Sequence, residues 1–83
     1  MVVLDKTQHH RLYWRCRRGM LELDTLLQGF LQQGIYSLNN AELQGFEALL
    51  ETPDTLLLEY LMGRTAPLDP MLAHVVKQIR YTD

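Results

Sequence analysis

The residues with the most chemical potential are gathered in one short stretch, "RRGMLE", running from Arg17 to Glu22. Arg18 and Glu22 stand four residues apart, the spacing at which side chains meet across one helical turn. Gly19 between them weakens the helix that would hold the pair. Two readings follow from the residues alone. In the first, Arg18 and Glu22 form an ordinary ion pair worth about 0.2–0.5 kcal/mol, in the weaker orientation with the base first, and Gly19 marks a helix boundary. In the second, Gly19 lacks a side chain so that another backbone or a bound group can come close, with charge of either sign beside it. The other reactive residues offer less. Cys16 is the single cysteine, and its helical spacing from Leu12 suits core packing better than nucleophilic attack assisted by His9 or His10. His9, His10 and His74 lack further ligands at metal-site spacing, and Ser37 is the only serine, so neither a zinc site nor a hydrolase triad can be assembled. The glycines nowhere form a dinucleotide or phosphate loop, and an enzyme is not expected.

These residues need elements to hold them, and the chain supplies helices. In "LELDTLLQGFLQQG", Leu23, Leu26, Leu27, Phe30 and Leu31 recur at helical spacing, and Gly34 is expected to end that helix. Before it, "TQHHRLYWRCRR" reads as a helix with a narrower apolar face, joined to the next at Gly19. Asn39 is expected to cap a third helix, with Glu42 reaching back and Leu38 stapled onto Leu43. Thr52 should cap a fourth with Pro53 at its first position and Gly63 as its stop. Asp69 and Pro70 should open a fifth. No segment alternates as a strand does. The expected fold class is therefore all-α, a compact five-helix bundle of short helices forming one domain over 1–83.

Charge is unevenly distributed. The net charge of −2 hides five bases without an acid between Lys6 and Arg18, against ten acids and three bases elsewhere. Arg11, Arg15 and Arg18 could lie along one side of the first helix beside Trp14, as a protein-binding hot spot; equally, the bases could form a solvated face partnered by acids elsewhere in the fold, and Trp14 could belong to the core. A nonspecific nucleic-acid binder needs its positive field over a larger surface, so nucleic acid is not the expected partner. The single cysteine, the lack of a signal-like N-terminus and the lack of an apolar run near the ~20 residues of a membrane span lead to the expectation of a cytoplasmic protein without membrane insertion.

The sequence resembles the small FAD assembly factors of succinate dehydrogenase, from about Arg11 to Arg80. The most specific element is that family's RGxxE motif, here Arg18, Gly19, Met20, Leu21 and Glu22 within "WRCRRGMLELDTLL". Phe30, "LNNAEL", Phe46, "LLETPDTLLLEYLMGR" and "LDPMLAHVVKQIR" match as well. The resemblance implies a five-helix protein that binds the flavoprotein subunit of succinate dehydrogenase, and in many bacteria that of fumarate reductase. It implies that the protein promotes covalent attachment of FAD to a histidine of that client, holding no cofactor stably itself. Arg18, Gly19 and Glu22 match the motif, and Arg11, Trp14, Arg17, Met20 and Asp24 match positions around it; all eight are candidate partner contacts. Tyr60 stands where many members have tryptophan, and Gly45 is unusual inside a helix. A monomer is expected. The competing expectation is a regulatory module of the antitoxin type, since some relatives of the family carry that description.

Overall fold

The computed structural model of the chain describes residues 3–81. Five α-helices and one 3₁₀ turn follow each other with no strand among the described residues, the all-α bundle that the apolar spacing requires.

Each helix begins where local chemistry satisfies its free N–H groups. Helix α1, Lys6–Arg15, is capped by Asp5, whose carboxylate accepts from the Gln8 N–H at 2.8 Å while the Gln8 side chain accepts from the Asp5 N–H. This box opens the helix earlier than expected, with Lys6 rather than Thr7 as its first residue. The helix also stops earlier than "TQHHRLYWRCRR" suggests, with Cys16 at its C-cap. The residues from Arg17 to Met20 form a connection instead of a last turn, because the Arg18 N–H and Nε are claimed by other acceptors.

Helix α2, Leu21–Gln32, buries Leu23, Leu27, Phe30 and Leu31. The helix ends just before Gly34, as expected, although Gly34 is not a left-handed cap. Gly34 opens a 3₁₀ turn, Gly34–Ser37, with an ordinary negative φ, and the turn buries Ile35. Helix α3, Asn40–Leu49, has the expected capping box: Asn39 Oδ1 accepts from the Glu42 N–H at 2.8 Å and Glu42 Oε1 from the Asn39 N–H at 2.9 Å.

Helix α4, Asp54–Leu61, starts one residue later than expected. Pro53 itself is the N-cap, with ψ 145°, while the Thr52 N–H closes the end of α3 on the Leu49 carbonyl at 3.0 Å. Gly63 does stop α4. Its φ of +78° lets the Arg64 N–H reach the Glu59 carbonyl and the Gly63 N–H reach that of Tyr60, the paired bonds of a left-handed glycine cap. Helix α5, Pro70–Arg80, is capped by Asp69 as expected, its carboxylate accepting from the Met71 and Leu72 N–H groups.

The core is formed mainly by α2, α3, α4 and α5. Helix α3 lies closely along α5, and α2 packs on the 3₁₀ turn, α4 and α5. Phe30 and Phe46 meet with ring centroids 5.3 Å apart, and Leu23, Leu27, Leu38, Leu49, Leu57 and Val75 are sealed around them. Gly45 finds its reason here. A Cβ at that position would lie 2.7 Å from Met71 Cγ and 3.2 Å from Val75 Cγ2, so the glycine that weakens α3 also lets α5 approach. Tyr60 is partly buried against this core. Helix α1 is the lightly packed element: Leu12 is the one buried residue within its span, with Cys16 following. No helix among the described residues is long and apolar enough to cross a membrane.

Candidate functional site

The connection between α1 and α2 is a short turn held from the inside. Gly19 has φ +82°, a left-handed conformation that costs an L-residue about 1–2 kcal/mol. A Cβ there would meet nothing within 4 Å, so within the monomer the backbone angle alone asks for glycine, and the space above it is open. Asp24, in the first turns of α2, folds back over this turn. Its Oδ1 accepts from the Arg18 N–H at 2.7 Å and its Oδ2 from the Gly19 N–H at 3.2 Å. Met20 then adopts an extended conformation as the N-cap of α2 and lies half-buried against the core. Glu22 and Asp24 both sit near the positive end of the α2 dipole, a favourable place for acids.

Arg18 does not pair with Glu22. Its guanidinium turns into the fold, with Nη1 donating to Asp54 Oδ1 at 2.8 Å, Nε to the Arg15 carbonyl at 2.7 Å and Nη2 to the Leu50 carbonyl. The Arg18 side chain is only 14% exposed. Arg15 acts alongside it, donating to the Glu47 carbonyl at 3.1 Å and approaching Glu51. The basic stripe of Arg11, Arg15 and Arg18 expected along α1 is therefore broken up. Two of its members spend their charge on the C-terminal end of α3, where carbonyls favour cations. Lys6, Arg11 and Arg17 keep theirs in solvent.

Around the turn, the outward side chains form an amphipathic surface. Trp14 is 55% exposed. Its Nε1 donates to His10 Nε2 at 3.0 Å, Tyr13 meets it edge-on, and the Arg17 guanidinium lies 5.7 Å from its ring centroid. Across the turn, Leu21 is 83% exposed and Glu22 stands beside it in solvent, without an ion pair among the described residues. Of these, the exposed tryptophan and the arginine are the residue types that dominate protein-binding hot spots; the exposed leucine and glutamate add apolar area and charge beside them. Arg11 is exposed one turn before Trp14 on α1. Leu21 was not among the candidates read from the sequence, although it falls outside the α2 apolar face and on that ground could have been. Asp54 and the Leu50 carbonyl had no such signal, lying more than 30 residues from Arg18.

Cys16 is fully buried, and burial pushes its thiol up to about 12, against the smaller lowering effects of Arg18 and Arg15. No group of three or more metal-ligating side chains is found among the described residues.

A turn held by Asp24 on a small helical scaffold, with exposed aromatic, apolar and charged side chains beside it, suits the class of protein-binding modules. The comparison with known families makes this specific: the sequence profile described as "Flavinator of succinate dehydrogenase" matches residues 10–83, and the chain belongs to that family. It is 42% identical over 80 residues to an FAD assembly factor SdhE of Legionella pneumophila strain Paris, covering 96% of this chain and all of the relative. It is 39% identical over 70 residues to the factor of that name from Coxiella burnetii, covering 84% of this chain and 85% of that one. With that of Pseudomonas aeruginosa PAO1 the identity is 41% over 75 residues, 90% of this chain and 89% of the relative. These likenesses favour the assembly-factor reading over the antitoxin-type module, and membership of an assembly-factor family accords with a role other than that of an enzyme.

Proposed function

We propose that the chain binds the flavoprotein subunit of succinate dehydrogenase through the surface around Gly19 and promotes covalent attachment of FAD to a histidine of that subunit. The observation that carries the reading is the exposed group Trp14, Arg17, Leu21 and Glu22 around a glycine turn whose backbone is locked by Asp24. Of the residues matching the motif and its surroundings, Arg11, Trp14, Arg17, Gly19 and Glu22 face the client. Met20, Asp24 and Arg18 shape the surface from beneath. The open space above Gly19 admits the client backbone.

Covalent flavinylation needs the histidine nitrogen aligned with the flavin methyl carbon and negative charge stabilised on the isoalloxazine ring. Such alignment and preorganised electrostatics lower barriers by several kcal/mol in favourable cases. The flavin and the client supply that chemistry. The assembly factor acts by binding one client conformation better than the others, which raises its population without a catalytic residue of its own. FAD is thus the group attached to the client, and the chain holds no cofactor stably. It works as a monomeric single domain in the cytoplasm and serves the fumarate reductase subunit where that client is present.

The test is reconstitution with purified flavoprotein subunit and free FAD, following covalent flavin with time. Wild-type protein should accelerate attachment, whereas folded Trp14→Ala and Glu22→Ala variants should do so at least tenfold less well. Equal acceleration by both variants would overturn the assigned surface.

A further inference from the structure

Asp54 opens α4, on the far side of α3 in sequence, and belongs to no motif around Gly19. We infer that it is a positioning residue for the docking surface, acting through Arg18. The inference rests on the proposed docking of the client at the α1–α2 turn.

Helix α1 is lightly packed. With Leu12 and Cys16 as its main buried anchors, the end of α1 has little apolar surface to hold it in place. A polar clasp supplies the rest. The guanidinium of Arg18 joins three elements through one plane: Nε closes the last turn of α1 on the Arg15 carbonyl, Nη2 holds the Leu50 carbonyl at the C-cap of α3, and Nη1 meets the Asp54 carboxylate at the start of α4. With every nitrogen engaged and the side chain largely covered, Arg18 has little left for a partner. Its place in the motif is better explained by what it holds in position.

Within the clasp, Asp54 is the one charged acceptor. All three bonds are charge-assisted by the guanidinium, but only the one to Asp54 joins two ionised groups, so it is the strongest of the three and anchors the fork. Removing it leaves a mostly covered guanidinium with a donor unmatched, which favours swinging out toward solvent. The Arg18 and Gly19 N–H groups, held by Asp24 on the same few residues, would then lose their fixed geometry. Trp14 and Arg17, just before the turn, would move with it. Arg15, tied to the Glu47 carbonyl, is a second fastening but reaches neither Gly19 nor α4.

The test compares Asp54→Ala and Asp54→Glu with Glu59→Ala, which removes an acid from the same helix whose partner is Arg64 rather than Arg18. Two readouts are taken: NMR chemical shifts and amide exchange at Arg18, Gly19 and the Trp14 indole, and affinity for the flavoprotein subunit measured well below the melting temperature. Asp54→Ala should shift these resonances, speed exchange of the Gly19 amide at least tenfold and weaken client binding at least tenfold. Asp54→Glu should restore binding to within about threefold, and Glu59→Ala should leave all readouts as in wild type. Unchanged turn resonances in Asp54→Ala would overturn the inference even if binding fell, because Asp54 would then be a direct contact. Wild-type binding by Asp54→Ala would overturn it too. If Gly19→Arg also bound like wild type, the docking surface itself would be wrong, an outcome distinct from failure of the positioning role alone.

Discussion

Replacing Gly19 by alanine separates two reasons for the glycine, its backbone angle and the space above it. At φ +82° an L-alanine carries a strain of about 1–2 kcal/mol. The unfolded chain gives back about 0.4–1 kcal/mol, because alanine has fewer conformations to lose. No clash is added, since the new Cβ meets nothing within 4 Å. The net expectation is a loss of about 1 kcal/mol, which lowers the melting temperature of a domain this size by roughly 4–8 °C. A chain of 83 residues is within reach of chemical synthesis, so D-alanine can be placed at the same position. Its preferred φ is positive, and it should restore or slightly exceed wild-type stability. Urea denaturation followed by the fluorescence of Trp14, the single tryptophan, measures both variants. A loss of about 3 kcal/mol or more for L-alanine, or equal losses for the two enantiomers, would refute the claim that the angle alone demands glycine within the monomer. If the client approaches the turn closely, the stable D-alanine protein should still flavinylate more slowly than wild type.

Other consequences can be measured separately. Gly45→Val should destabilise the fold by about 2 kcal/mol or more in urea denaturation, because α5 would have to move away from α3. Cys16 is fully buried, and burial pushes its thiol up to about 12, so alkylation should proceed only through unfolding; rapid labelling of the native protein would contradict its burial. The Glu42 carboxyl is held below its ordinary 4.5, first by the Asn39 backbone N–H and then by His74. A depressed pKa stabilises the fold above the unfolded value and is lost as pH falls through the folded one, so stability should decline below about pH 4.5. Glu42→Gln should flatten that decline in denaturation curves recorded between pH 6 and pH 3.

Helix identity and the caps at Asn39, Gly63 and Asp69 were legible because they depend on neighbours a few residues away. So was the apolar face of α2, whose spacing is preserved in the core. Helix ends governed by distant partners were not legible. Arg18 looks like the continuation of α1 until Asp24 and Asp54 claim its donors; Gly34 does mark the end of α2, but not the 3₁₀ turn that follows around Ile35. The same limit applied to the candidate site. Its turn was marked by Gly19 and the residues beside it, but nothing local says that Arg18 points inward or that Asp54, 36 residues later, receives it. The anomaly at Gly45 was visible in the sequence, and its cause was visible only once α5 lay across it.

Assisted flavinylation through the α1–α2 turn can be read from the in-gel fluorescence of covalently bound flavin in the denatured flavoprotein subunit of succinate dehydrogenase, from cells lacking this gene and from the same cells complemented. The band should be lost on deletion and restored by wild type, but not by a folded Gly19→Arg variant. A band of full intensity in the deletion strain, with the subunit present at normal abundance, would contradict assisted flavinylation.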